Sequence, residues 1–253
     1  MQTAAETPPR FLDAGEGGLI VEFGNDIDEG VNRRVVALDR AIARLRLGSI
    51  RETVPTYRSL LVLYDPLSVS RRQLVEHIIS CANVSDEVDD ECSVWRVPVC
   101  YGGEHGVDLE EVARAHRVAS EELVAIHSSA SYRVYMIGFA PGFTYLGGLP
   151  EAIHTSRRTD PRATTPPRSI SIGGRQAAVA PPMGVPSGWH LLGRTPVRSY
   201  DPRREEKPFL FSPGDRIRFR PVSVAEYNDM LAAAEAGDIV AELVSPATER
   251  AGG

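Results

Sequence analysis

Apolar residues in the first third of the chain follow strand and helix patterns in turn. Residues 19–23, 50–54 and 59–64 are apolar or β-branched runs of strand length. Between the first two, apolar residues recur at helical spacing over 31–47, and Gly48 is expected to end that helix. A second amphipathic helix is predicted after the third run. This order of elements predicts most of a split βαβ, or ferredoxin-like, unit.

The second half of the chain has short apolar runs separated by prolines and glycines. Twelve of the nineteen prolines lie within 141–213, and each interior proline would cost a helix about 3 kcal/mol. The pattern therefore predicts a small β-barrel or curled sheet. Ser223 is placed to cap a closing helix. The runs predicted as strands include 131–137, 170–172, 177–179 and 216–220.

An acidic segment separates the two textures. Residues 85–91 carry five carboxylates in seven positions, which is typical of a solvated linker. We therefore predict an α+β domain over 10–90 and a mainly-β domain over 91–245. The apolar run 93–100 could complete the first sheet or open the second domain, and the sequence leaves both possibilities open.

Composition excludes several classes of function. The net charge of −6 offers no electrostatic footprint for nucleic acid. No apolar run approaches the roughly 18 residues that a membrane span needs, and the start of the chain lacks a secretory signal, so a soluble cytoplasmic protein is expected. Lys207 is the sole lysine, and its acidic setting fits neither a Schiff base, a phosphate-loop lysine nor a biotinyl-lysine.

The segment 138–148 is the first candidate for chemistry. It combines four glycines with three aromatic residues and one proline. Such a loop can wall a small-ligand pocket and present backbone N–H groups to an anion. It can equally form a tight aromatic corner that seals a barrel, and the residues alone do not decide between these two interpretations.

Charged and titratable residues add weaker signals. Seven arginines and only two acidic residues lie within 151–200, which favours an anion site or an acidic partner. Each single arginine is more simply a solvated charge, Arg157 and Arg158 above all. His127 ends a short helix, where the helix dipole favours its charged form. Neither a metal-binding histidine motif nor a Ser–His–Asp arrangement is evident.

Seven ordered segments together resemble one family of proteins. They lie at 97–103, 127–135, 138–148, 173–176, 187–190, 193–196 and 212–215. This set resembles the B-type subunit of 5-oxoprolinase, whose family is also called allophanate hydrolase subunit 1 or the Kip inhibitor family. The resemblance covers about residues 19–222, nearly the whole chain.

The resemblance implies a fold and an activity. It implies an α+β, ferredoxin-like N-terminal domain followed by a mainly-β, cyclophilin-like barrel. It also implies a component of an ATP-dependent 5-oxoprolinase that acts with a homologous C-type subunit, while an amidohydrolase-type third component opens the ring. Related barrels form the carboxyltransferase part of urea carboxylase. ATP would bind at the interface with the partner subunit, and no metal is indicated beyond magnesium that accompanies ATP.

The resemblance also implies a set of site residues. Gln176 would hydrogen-bond the lactam amide, Arg194 would hold a carboxylate or phosphate, and His127 would move a proton or steady developing charge. These three are the expected catalytic residues. The residues expected to bind substrate and exclude water are Phe139, Pro141, Gly142, Phe143 and Trp189.

Departures from the family pattern leave the substrate and the role open. Arg175 stands where the family has glycine, so it would add charge beside Gln176. The substrate could be 5-oxoproline, another lactam or amide, or a carboxylate that needs an extra cation. The alternative function, also found in this family, is a regulatory protein that inhibits a sensor histidine kinase.

Overall fold

The computed structural model describes residues 8–84 and 92–244. The chain forms two compact units, 1–91 and 92–253. Within the described residues, no helix is long and apolar enough to cross a membrane.

The first unit is a four-stranded antiparallel sheet with two helices. The strand order is β1-β2-β4-β3. In the predicted ferredoxin-like order, the strand that completes the sheet follows the second helix. In this structure that strand is β1, which comes before β2. The ferredoxin-like assignment therefore stays a prediction. The elements are β1 Arg10–Asp13, β2 Gly18–Glu22, α1 Glu29–Leu45, β3 Ile50–Pro55, β4 Ser59–Tyr64 and α2 Arg71–Val84.

Helix α1 shows how local sequence fixes an element. The Asp28 carboxylate accepts a hydrogen bond from the Val31 N–H at 3.1 Å and so caps the first turn. The apolar face packs on the sheet, where Leu38 and Ile42 are buried. The prediction that Gly48 ends the helix is wrong. Arg46 adopts the left-handed conformation instead (φ 47°), and the helix stops at Leu45.

The prediction of a barrel is confirmed in the second unit. Its seven strands form a mixed barrel, with parallel and antiparallel pairs. The strand order β12-β9-β10-β7-β6-β13-β5 closes where β5 pairs with β12. Strands β5 and β13 are parallel, and the other pairs of the barrel are antiparallel. The run predicted at 93–100 thus belongs to this unit.

The elements are β5 Val94–Tyr101, α3 Leu109–His116, α4 Ser120–Ser129, β6 Tyr132–Ile137, β7 Thr144–Gly147, a 3-10 helix Glu151–Ile153, β8 Arg162–Thr165, β9 Ser169–Gly173, β10 Gln176–Val179, β11 Val185–Ser187, β12 His190–Arg194, β13 Arg216–Pro221, α5 Val224–Ala236 and β14 Glu242–Val244.

Side chains along the barrel strands alternate between the interior core and the outer face of the barrel. Successive side chains of a strand point to opposite faces. On β10, Ala177 and Val179 belong to the interior core, whereas Ala178 belongs to a separate apolar cluster. Gln176 shares the face of Ala178, so its side chain lies on the outside of the barrel.

Candidate functional site

A separate apolar cluster covers the outer face of β7, β9 and β10. We call it the outer-face cluster. The register sets Ala178 between Tyr145 on β7 and Ser171 on β9. Tyr145 packs against the cluster from β7. The buried members of the outer-face cluster are Phe143, Ala178, Ala180, Val185 and Trp189.

Trp189 lies directly on the backbone of Gly173. A Cβ atom added at Gly173 would come within 2.7 Å of the indole ring, so only glycine allows this contact. Gln176 is the cross-strand partner of Gly173. The two-residue hairpin turn between them places Gly174 first, at positive φ, as such a turn requires. The indole therefore lies beside the strand pair that carries Gln176.

The aromatic rings form a continuous row from the cluster to the surface. Tyr145 meets Trp189 edge-on at 6.0 Å between ring centres and Phe143 at 4.7 Å. Phe143 meets Phe139 edge-on at 5.7 Å. Phe139 is 65% exposed, whereas Phe143 is buried. One end of the row is therefore open to solvent, and the other end is packed against the barrel.

The loop that carries two of these rings is held tightly. Gly142 has φ +81°, and a Cβ atom there would lie 2.6 Å from the Cβ of Tyr200. Pro141 is exposed beside it. The Phe143 N–H donates to the carbonyl of Ala140 at 3.0 Å. The glycine-rich segment thus holds Phe139 and Phe143 in contact on the outside of the barrel.

Gln176 supplies the polar group of this region. Its side chain is buried, with 7% exposed. Within residues 8–84 and 92–244, its carboxamide makes no hydrogen bond to another residue. A carboxamide has two N–H donors and an acceptor oxygen. Gln176 is therefore able to pair with an amide that reaches the outer-face cluster.

His127 lies elsewhere, packed against the main core of the barrel. Its ring is stacked on Phe219 at 4.9 Å between ring centres, and its Nδ1 lies 2.8 Å from the Tyr101 hydroxyl. The side chain is fully buried. Burial lowers the pKa of His127 to about 3, so the imidazole is neutral at pH 7. The expectation that the helix dipole keeps it charged is wrong, because desolvation outweighs the dipole.

Arg194 and Gln176 flank opposite ends of strand β9. Arg194 pairs with Ser169 at one end and Gln176 pairs with Gly173 at the other. Ser169 and Gly173 are four residues apart, which is about 13 Å at 3.3 Å per residue. The Nε–H of Arg194 donates to the carbonyl of Pro167 at 3.2 Å. The charge of Arg194 acts instead on His105. Burial lowers the pKa of that imidazole, and the arginine charge lowers it further. The structure therefore does not bring Arg194 together with Gln176.

Two residues join the site that sequence reasoning did not assign to it. Tyr145 was visible only as one of three aromatic residues in a loop. Arg157 was expected to be a solvated charge, yet its Cζ lies 5.5 Å from the centre of the Trp189 ring. Nothing in its sequence context distinguishes it from Arg158, which contacts Asp108 at 3.4 Å.

The segment before β8 is anchored to the barrel by Asp108. Its carboxylate accepts hydrogen bonds from Arg162 at 2.7 and 3.0 Å and from the Leu191 N–H at 2.7 Å. Burial acts to raise the pKa of Asp108, but these hydrogen bonds and the arginine charges outweigh it and lower the pKa. Asp108 thus links the segment that carries Arg157 to β12.

We expect Asp108→Ala to destabilise the protein by about 2 kcal/mol. The substitution leaves two partly buried guanidinium groups without their acceptor. Urea unfolding measures the loss. Asp160→Ala, at an exposed position in the same segment, is the control and should change the free energy of unfolding by less than about 0.5 kcal/mol. Equal stability of the two variants would contradict the anchoring role.

The side chains at and beside the outer-face cluster are aromatic, polar and basic. Within the described residues, no group of three or more His, Cys, Asp or Glu side chains is placed to hold a metal ion. The outer-face cluster offers aromatic faces. Gln176 beside it supplies a carboxamide, and Arg157 over the Trp189 ring supplies a cation. Gln176 lies at the Trp189 end of the aromatic row, Phe143 and Phe139 follow towards its other end, and His127 lies in the main core.

Comparison with known proteins gives a consistent family. The family described as carboxyltransferase domain, subdomain C and D, matches residues 9–211. The chain is 35% identical over 228 residues to the B-type subunit of 5-oxoprolinase from Bacillus subtilis, covering 85% of this chain and 93% of that protein. It is also 35% identical over 208 residues to the B-type subunit of 5-oxoprolinase from Escherichia coli O157:H7, covering 82% of this chain and 93% of that protein.

A solved structure shows the same fold in a larger protein. The urea amidolyase of K. lactis superposes with a TM-score of 0.78 at 19% identity. The match covers 96% of this chain and 17% of that protein. At this identity the likeness concerns the fold alone.

Proposed function

This chain belongs to the carboxyltransferase family of subdomain C and D, the family resembled by its sequence motifs, and from that premise we propose that it is the B-type subunit of an ATP-dependent 5-oxoprolinase. The relatives named above are B-type subunits of 5-oxoprolinase, which supports a role within a multi-subunit complex. The partner would be a homologous barrel, the C-type subunit. An amidohydrolase-type third component would complete hydrolysis of the ring.

The observation that carries this proposal is the unpaired carboxamide of Gln176 beside an aromatic cluster. A lactam holds its N–H and C=O on the same side of the ring. A primary carboxamide can therefore donate to the lactam oxygen and accept from the lactam N–H at once. Trp189 would cover the apolar face of the ring and keep water away from it.

In the proposed reaction the γ-phosphoryl group of ATP passes to the lactam oxygen, and ADP leaves. Water would then add to the ring carbon, and the ring C–N bond would break as the amine takes up a proton. A second water would hydrolyse the remaining acyl phosphate, so glutamate and phosphate are the final products. This chain's share would be to bind and orient the lactam. The contacts of His127 support a structural role for that residue, because its imidazole is buried in the core and neutral.

The proposal is tested by co-purifying this chain with its C-type partner and measuring ADP formation with and without 5-oxoproline. ADP formation that depends on 5-oxoproline would support it. A stable complex whose ATP hydrolysis ignores 5-oxoproline but responds to another lactam or amide would keep the enzyme class and change the substrate. Failure to form any complex would instead favour the regulatory role.

A further inference from the structure

Arg157 is an exposed cation at the edge of the outer-face cluster. Its guanidinium carbon lies 5.5 Å from the centre of the Trp189 ring. Its charge also acts on Tyr145, where burial raises the pKa of the phenol and Arg157 opposes that rise. Within the described part of the chain, Arg157 makes no ion pair. Its charge is therefore available to a ligand.

The backbone on both sides of Arg157 is held to the barrel. Thr155 exchanges two backbone hydrogen bonds with Gly174, at 2.6 and 3.2 Å. On the other side, the Arg158 N–H donates to the carbonyl of Gly188 at 2.7 Å. Arg157 is thus fixed between the turn that precedes Gln176 and the residue that precedes Trp189. A fixed backbone lowers the entropy lost when the side chain binds a ligand.

These placements put two different recognition groups around one indole ring. The indole of Trp189 lies on Gly173, and Gly173 is the cross-strand partner of Gln176. The strand that carries the Gln176 carboxamide therefore lies beside the indole. The guanidinium of Arg157 comes over the ring itself. A ligand that satisfies both groups carries an amide and an anionic group.

We propose that Arg157 determines substrate specificity by binding the carboxylate of a lactam acid whose amide pairs with Gln176. This inference rests on the proposed function and deepens it. It gives to Arg157 the role of holding a carboxylate that the family resemblance gave to Arg194. Guanidinium and carboxylate groups form paired, charge-assisted hydrogen bonds, and the indole face shields the contact from water on one side.

The test compares two ligands and two arginine variants of the full chain by calorimetric titration. The ligands are 5-oxoproline and 2-pyrrolidinone, which has the same lactam ring without the carboxylate. We expect the wild-type protein to bind 5-oxoproline about tenfold more tightly than 2-pyrrolidinone. Arg157→Gln should abolish this preference while leaving the affinity for 2-pyrrolidinone unchanged.

Arg175→Gln is the matched variant, and it tests the alternative in which the charge of Arg175 beside Gln176 holds the carboxylate. Arg175 is another exposed arginine next to Gln176, in the hairpin turn, and none of its contacts involves the outer-face cluster. This variant should keep the tenfold preference, and added salt should weaken the preference in the wild-type protein.

Three outcomes would overturn the proposal. If Arg157→Gln keeps the preference, or if Arg175→Gln loses it, Arg157 is not the specificity residue, while the lactam site itself stands. If the wild-type protein binds neither ligand at millimolar concentration, alone or co-purified with its C-type partner, the proposed function fails and this inference fails with it.

Discussion

Replacing Gln176 by leucine should lower kcat/KM for 5-oxoproline-dependent ADP formation by about 100-fold. Leucine keeps nearly the same size but removes both the donor and the acceptor. The lactam N–H and C=O would then lie against the aromatic cluster without partners. Coupled ADP assays on the co-purified complex measure the change.

The fold should tolerate this substitution, because the carboxamide of Gln176 holds no other described residue. The midpoint of thermal unfolding should therefore stay within about 2 °C of the wild-type value. Arg175→Gln, at the preceding position along the chain, is the matched control for ADP formation and should leave it unchanged. Wild-type kinetics in the leucine variant would remove Gln176 from the site.

Acid should destabilise the protein through His127. The native imidazole stays neutral down to about pH 3, whereas an unfolded histidine takes up a proton near pH 6.5. Below pH 6.5 the unfolded state therefore binds more protons, and stability is lost as the pH falls from 6.5 towards 3. Between pH 7.5 and 5.0 this one residue should lower the free energy of unfolding by about 2 kcal/mol.

His127→Phe isolates this contribution. Phenylalanine can keep the stacking on Phe219 but loses the hydrogen bond to the Tyr101 hydroxyl, which costs about 1 kcal/mol at pH 7.5. The variant should then lose about 2 kcal/mol less than the wild type on going to pH 5.0. Urea unfolding at the two pH values measures both numbers.

His77→Phe is the control for the acid prediction, because it replaces an exposed histidine. Its loss of stability between the two pH values should match the wild-type loss. If His127→Phe also follows the wild type, the imidazole is not buried in its neutral form, and a role in moving protons returns for that residue.

Local patterns predicted most of the elements but not all of their ends. Ser223 caps α5 as expected, since its hydroxyl accepts from the Glu226 N–H at 3.2 Å. Strand β1 was missed because its four residues are too few and too exposed to show an alternating pattern. The end of α1 was misplaced because Arg46, and not a glycine, takes the left-handed conformation.

The candidate site was harder to predict, because strand register and burial decide it. Residue types pointed to an aromatic loop, and its Phe143 lies in one cluster with Trp189, while Gln176 pairs with Gly173 under the Trp189 ring. The separation of Arg194 from Gln176 follows from the pairing of β9 with β12, which no local pattern shows. The neutral state of His127 depends on Phe219, a neighbour 92 positions along the chain.

Binding of the lactam by the carboxamide of Gln176 can be followed by NMR spectroscopy. The chain has three glutamines, Gln2, Gln73 and Gln176. Selective ¹⁵N-glutamine labelling therefore gives three side-chain NH₂ pairs, and Gln176→Leu assigns the third by its disappearance. Adding 5-oxoproline should shift the Gln176 pair strongly and leave the Gln73 pair in place. A Gln176 pair that does not move at saturating 5-oxoproline would contradict this role of Gln176.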